Sequence, residues 1–221
     1  MGQKSAQKIC DTALGDMVFL EYNCLMVEIR PLHLKTCEVG VILKLNRHKI
    51  PLDDWGKGGA KSTKSLATEV LLGESVLVET KGGLVRQVGL VHIDVWYKVG
   101  DDLLQLVEKV QIFSDGRRRR RGLTGVNEKL MPNESIHACA KRALEEELGL
   151  FVSSNNIIYL EEKHEARESP SYPGLTTEFT IHEMEINLSG LDFKNTGYTE
   201  IQPDKTTYFS WQKVEPTLML Q

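Results

Sequence analysis

Near the end of "RALEEELGL" (142–150) two glutamates, Glu146 and Glu147, stand side by side, one helical turn after Arg142. A helix turns about 100° per residue, so positions 143, 146 and 147 share one face. Ala140, Leu144 and Leu148 form the adjacent apolar stripe, so the glutamates project from the edge of a core-packed helix. Carboxylates late on a helix oppose its dipole. A rigid carboxylate pair suits Mg²⁺, which takes oxygen ligands and is often held by carboxylates together with substrate phosphates. Arg142 can brace a neighbouring carboxylate through a bidentate pair. The competing reading is a solvated acidic face, which spacing alone favours.

The elements that must carry these residues follow from pattern. "LVRQVGLVHIDVWYK", from residue 84, alternates as a long strand, with Val91, Ile93, Val95 and Tyr97 on one face. "VGDD" turns the chain, and "LLQLVEKVQIF" returns with Leu104, Leu106, Val110 and Ile112 in register. "SDG" (114–116) turns it again. A loop then leads to a helix over 135–148, which Gly149 stops. "NNIIYLEEKHEARE" (155–168), "TEFTIHEMEI" and "TTYFSWQKV" read as further strands. Earlier, "CEVGVILKL" (37–45) reads as a strand, 50–62 as a loop, and Ser62 as the cap of a helix through "TKSLATEVLL". Residues 11–30 show no clear pattern. Strands before and after one internal helix indicate an α/β domain.

The segment 128–150, "EKLMPNESIHACAKRALEEELGL", resembles the Nudix box, G-x5-E-x7-R-E-U-x-E-E-x-G-U, where U is a bulky aliphatic. Glu134, Arg142, Leu144, Glu146, Glu147, Gly149 and Leu150 fall on its specified positions. The resemblance implies a Nudix-like α/β/α sandwich with a mixed sheet, plus an N-terminal extension. It implies catalytic roles for Glu134, Arg142, Glu146 and Glu147, with Mg or Mn on Glu146 and Glu147. It also implies attack of water on a diphosphate linked to another group. Two positions depart from the pattern. Glu128 replaces the leading glycine, where a side chain can obstruct close backbone approach. Ala143 replaces the glutamate that ligates metal or acts as general base, and losing a positioned base costs about 10²–10⁴ in rate. Glu165, on the strand after the helix, is the candidate substitute ligand; His164 is a candidate base; a solvent-facing strand residue is the bland reading of both.

"RRRRR" (117–121) alternates between two faces if it is a strand, which would aim Arg117, Arg119 and Arg121 at the cleft as phosphate ligands. A solvated hairpin arm is an equal reading, and RNA binding or a nuclear address a further one. Tyr172, in "SYPGL" (171–175), is a candidate for stacking on a base, against the commoner packed tyrosine. "GKGGAKS" (56–62) fails the phosphate-loop pattern, since Trp55 and Ala60 stand where glycines are needed.

Composition limits the rest. The chain has 221 residues, 41% hydrophobic, with a formal net charge of −4. That suits a folded domain rather than a disordered chain or a general nucleic-acid binder. Cys10, Cys24, Cys37 and Cys139 lack paired metal-ligand spacing, which favours reduced thiols over a zinc site. No apolar run reaches membrane-spanning length, and Ala6 breaks the myristoylation pattern. We therefore expect a Nudix-like domain over 80–221, with 1–79 as an extension or subdomain packed on it. The expected location is cytoplasmic, with the nucleus as alternative, and no membrane partner. The expected function is recognition of a diphosphate-containing small molecule, or of an RNA 5′ end, with weak or lost metal-dependent hydrolysis. The alternatives are an active Mg/Mn-dependent hydrolase whose base lies outside the box, and an RNA- or protein-binding module. Oligomeric state is not legible.

Overall fold

A computed structural model describes residues 18–22, 25–29 and 31–214. The polar N-terminal start with Ala6, and Cys10 and Cys24, lie outside the described residues. The chain divides into two compact units, Met1–Val88 with Ala166–Glu178, and Gly89–Glu165 with Phe179–Gln221.

In the first unit, β1 (Val18–Tyr22) and β2 (Leu25–Ile29) pair as an antiparallel hairpin. The segment expected as a strand at 37–45 is instead the middle of helix α1 (Pro31–Arg47). Its buried positions are Leu34, Val41 and Leu45, spaced by seven and four, which is helical spacing. Pro31 opens it, where the missing N–H is not needed. Helix α2 (Thr63–Leu72) is capped as expected: the Ser62 side chain accepts from the Ser65 N–H. Strand β3 (Val76–Thr80) pairs antiparallel with the first residues of β4 (Gly83–Val99). Leu34, Leu45, Trp55, Leu66, Leu84 and Tyr172 belong to this unit's core. Beside it, buried Glu69 accepts hydrogen bonds from Arg86 (2.7 Å), Ser75 (2.9 Å) and Lys61 (2.7 Å).

The second unit is built on β4. Along one edge it pairs antiparallel with β7 (Val126–Lys129) and then with β5 (Asp102–Phe113). On the other side lies β9 (Thr176–Asn187), followed by β8 (Ile157–Glu168). The cross-links His92 to Glu183 and Trp96 to Leu188 rise along both strands, so β4 and β9 run parallel. The sheet is therefore mixed, as expected for the α/β class. Beyond β5 come β11 (Lys205–Val214) and β10 (Tyr198–Ile201), and β6 (Arg118–Arg119) pairs with β5. Helix α3 (Ile136–Leu148) packs Cys139, Ala140, Ala143, Leu144 and Leu148 against a face carrying Val91, Ile93, Val95, Leu106, Met184 and Phe209.

Strand β5 departs from the expected register. Glu108 pairs with Phe209 and Val110 with Tyr208, so Lys109 has no partner on β11 and forms a bulge. One extra residue reverses the faces beyond it. Val110 and Ile112 therefore leave the α3 side, and Gln111 and Phe113 take it. No helix among the described residues is long and apolar enough to cross a membrane.

Candidate functional site

The box loop is fixed before α3 begins. Gly125, just before β7, has φ +56°, and a Cβ there would lie 1.9 Å from the Ile93 carbonyl oxygen. Only glycine fits that approach. Ser135 then caps α3 by accepting from the Ala138 N–H, and Gly149, in the left-handed region, donates to Glu145 O. Both helix ends lie where the sequence placed them.

Arg142 is the centre of the box. It is buried, with hydrogen bonds of 2.9 Å to each Glu134 carboxylate oxygen and 2.9 Å to the Lys129 carbonyl. Its Nη1 lies 3.3 Å from Glu128 and 3.6 Å from Glu146. Three glutamates thus share one guanidinium. Burial alone would raise the Glu134 carboxyl, but Arg142 and the Met131 N–H outweigh it and hold it below its ordinary value. Glu128 stands where the Nudix pattern has glycine and turns its carboxylate to Arg142.

Glu147 has a different setting. Burial pushes its carboxyl well above the usual range, repulsion from Glu200 and Glu128 adds to this, and Lys205 opposes it. Glu146, whose side chain is half exposed, is also raised, by partial burial and Glu128 against the pull of Arg142. Ala143 has no exposed surface and packs in the core. Glu165 lies on exposed β8. His164, also on β8, is 3.0 Å from Glu162.

The sheet face beyond the end of α3 carries polar residues that the sequence reading missed. Glu108, Gln111 and Thr207 are buried there, and Gln111 reaches Glu108 (3.4 Å) and Thr207 (3.5 Å). Lys205, opposite Phe113, and Glu200, opposite Thr207, share that face. Buried polar groups beside perturbed carboxylates are a mark of a functional face. The signal in the sequence was the polar pair Glu108 and Gln111 inside an apolar strand, hidden by the bulge between them.

The register also places the arginine run. Arg119 lies opposite Gln111 and Arg118 opposite Ile112, so Arg119 shares the α3-side face and Arg118 takes the other. Arg117 stacks over the Phe113 ring at 5.1 Å and binds Asp115 at 2.6 Å. Arg121 donates twice to Glu108, once at 2.9 Å. Tyr172 belongs to neither face. It has no exposed surface and packs in the first unit against Trp55, ring centroids 5.1 Å apart, with the Arg86 guanidinium 4.9 Å over its ring. A ring so enclosed offers no face for a base, so Tyr172 is a core residue rather than a stacking one.

Strand, box loop, capped helix bearing the glutamates, then further strands of a mixed sheet is the order that the resemblance implies. The fold is Nudix-like. No family model and no curated protein matches the sequence. Among solved structures, it is similar to a MutT/nudix family protein from Enterococcus faecalis, at 16% identity and a TM-score of 0.42. That match covers 68% of this chain and 51% of the other, about half its length. It is also similar to the MERS1 protein of T. brucei in its apo form, at 11% identity and a TM-score of 0.41, covering 84% of each chain. A third likeness is to the NUDIX domain of Shewanella oneidensis NrtR complexed with ADP ribose, at 13% identity and a TM-score of 0.35. It covers 61% of this chain and 78% of that one.

The Nudix-like fold raises the question of a resident Mg²⁺ or Mn²⁺. Such an ion needs several oxygen donors converging on one point. Among the described residues no three His, Cys, Asp or Glu side chains are so grouped. The guanidinium of Arg142 already sits between Glu128, Glu134 and Glu146, and that of Arg121 on Glu108. Glu146 thus already shares a guanidinium, no third carboxylate or imidazole converges on it and Glu147 among the described residues, and the donor set does not fit a divalent ion.

Proposed function

We propose that this protein recognises a diphosphate-containing ligand on its Nudix-like scaffold, with metal-dependent hydrolysis weak or lost. The observation that carries the reading is at α3. The position that supplies base or metal ligand in the family is Ala143, sealed in the core, and Arg142 takes up Glu128 and Glu146. Alanine can neither accept a proton nor ligate a metal. Support for a phosphate ligand comes from the arginine row facing the same side of the sheet. Guanidinium groups match phosphate oxygens in bidentate geometry.

The test is calorimetric titration with pyrophosphate and ADP-ribose, in EDTA and in Mg²⁺ or Mn²⁺, with hydrolysis followed in parallel. Binding with little or no turnover is expected. Rapid Mn²⁺-dependent turnover that Glu147→Gln abolishes would replace this reading with an active hydrolase whose base lies outside the box.

A further inference from the structure

We propose that Arg119 is the residue through which the α3-side face of the sheet grips its ligand's phosphates, and that this grip needs no divalent ion. The inference rests on the diphosphate reading above.

Three arginines lie along this face, and two are already engaged. Arg117 is held by Asp115 and by the Phe113 ring. Arg121 is held by both carboxylate oxygens of Glu108. Arg119 stands between them, exposed, with no ion pair among the described residues. Its backbone is fixed by pairing with β5, so its guanidinium is a free charge on an ordered strand.

Cations lie on either side of this position. Arg121 neutralises buried Glu108, which would otherwise repel a phosphate. Glu200, on the same face, accepts from Gln202 Nε2, a neutral donor that leaves its charge in place. Lys205, on the same face across β5, adds a second cation. An arginine fork can hold two phosphate oxygens at once, a geometry that lysine cannot reproduce. Arg118 supplies the internal control. It carries the same charge one residue away, and the register sends it to the opposite face. General attraction of an anion to the run would depend on both residues alike, whereas a positioned contact depends on Arg119.

Pyrophosphate binding is measured by calorimetry in EDTA for the unaltered chain, Arg119→Ala, Arg119→Lys and Arg118→Ala. The expected result is binding in EDTA, weakened about tenfold or more in Arg119→Ala, which corresponds to about 1.4 kcal/mol. Arg119→Lys should fall between, and Arg118→Ala should stay within roughly twofold of the unaltered chain, a screening-level effect. Equal losses in Arg118→Ala and Arg119→Ala, or none in Arg119→Ala, would overturn the assignment and leave the diphosphate reading standing. Binding seen only with Mg²⁺ would overturn the ion-independent grip. If the unaltered chain bound neither pyrophosphate nor ADP-ribose with or without Mg²⁺, the diphosphate reading itself would fall.

Discussion

Glu128 points its carboxylate at Arg142, 3.3 Å from Nη1, from the position where the Nudix pattern has glycine. With Glu134 and the Lys129 carbonyl, which bind the same guanidinium, it ties the segment before α3 to the helix. It also loads the α3 face, because Glu128 raises the carboxyls of both Glu146 and Glu147. Glu128→Gln removes that charge and keeps the shape. Both glutamates should then titrate at lower pH, as read by carboxyl carbon NMR. Unchanged midpoints would show that the Glu128 charge does not set them.

Ala143→Glu is the obvious restoration of the family pattern, yet position 143 has no exposed surface and packs among core residues. A glutamate there must find room and bury a polar group. Together these cost about 2–5 kcal/mol. The variant should unfold at clearly lower urea concentration, and a gain in hydrolysis is not expected without compensating changes at Glu128 and Arg142. An unchanged urea midpoint would mean that the side chain escapes the core.

Much of this site was legible beforehand, for physical reasons. Ser135 and Gly149 bound α3 through side-chain and backbone rules that act over a few residues, so sequence reveals them. The long strand with Val91, Ile93 and Val95 likewise declared its buried face. Two errors came from interactions that sequence does not display. The β-branched run Val39, Val41 and Ile42 resembles a strand, but burial of Leu34, Val41 and Leu45 along one stripe selects a helix. The bulge at Lys109 depends on pairing with β11, nearly a hundred residues away, so the buried positions of Gln111 and Thr207 could not be seen. Short strands β3, β7 and β10 were missed because pairing rather than pattern defines them.

Glu147 has a sign worth testing. Its folded carboxyl is raised, first by burial and then by Glu200 and Glu128. The folded state therefore holds this proton more tightly than the unfolded chain, whose glutamate titrates near about pH 4.3. Stability is lost as pH rises from that value through the folded one. Glu147→Gln removes the titration. It should melt higher than the unaltered protein at pH 7, with the difference vanishing toward pH 4. A variant that is less stable at pH 7 would indicate that the Glu147 charge is paired in the folded protein.

On the opposite face of β4, His92 joins three strands. Its Nδ1 is 3.1 Å from Asn127 Oδ1 on β7, and its Nε2 lies 3.5 Å from Asp94 and 3.8 Å from Glu183 on β9. Gln105 on β5 donates to Asp94 at 2.8 Å, and Lys163 on β8 is 3.4 Å from Glu183. Burial alone would lower the imidazole, but the Asp94 hydrogen bond and the charges of Asp94 and Glu183 outweigh it and raise it. Both ring nitrogens then have acceptors, which suits the protonated form. A raised folded value means that this stabilisation is complete below the unfolded value of about 6.5 and is lost as pH rises through the folded value. His92→Gln should therefore cost more at pH 5.5 than at pH 8.5, by about 1 kcal/mol, in urea titrations at the two pH values. β7 leads directly into the box loop, so hydrogen exchange at Asn127 and Glu128 should rise with pH more steeply than the intrinsic rate. Equal losses at the two pH values would show that His92 is held neutral and acts only by packing.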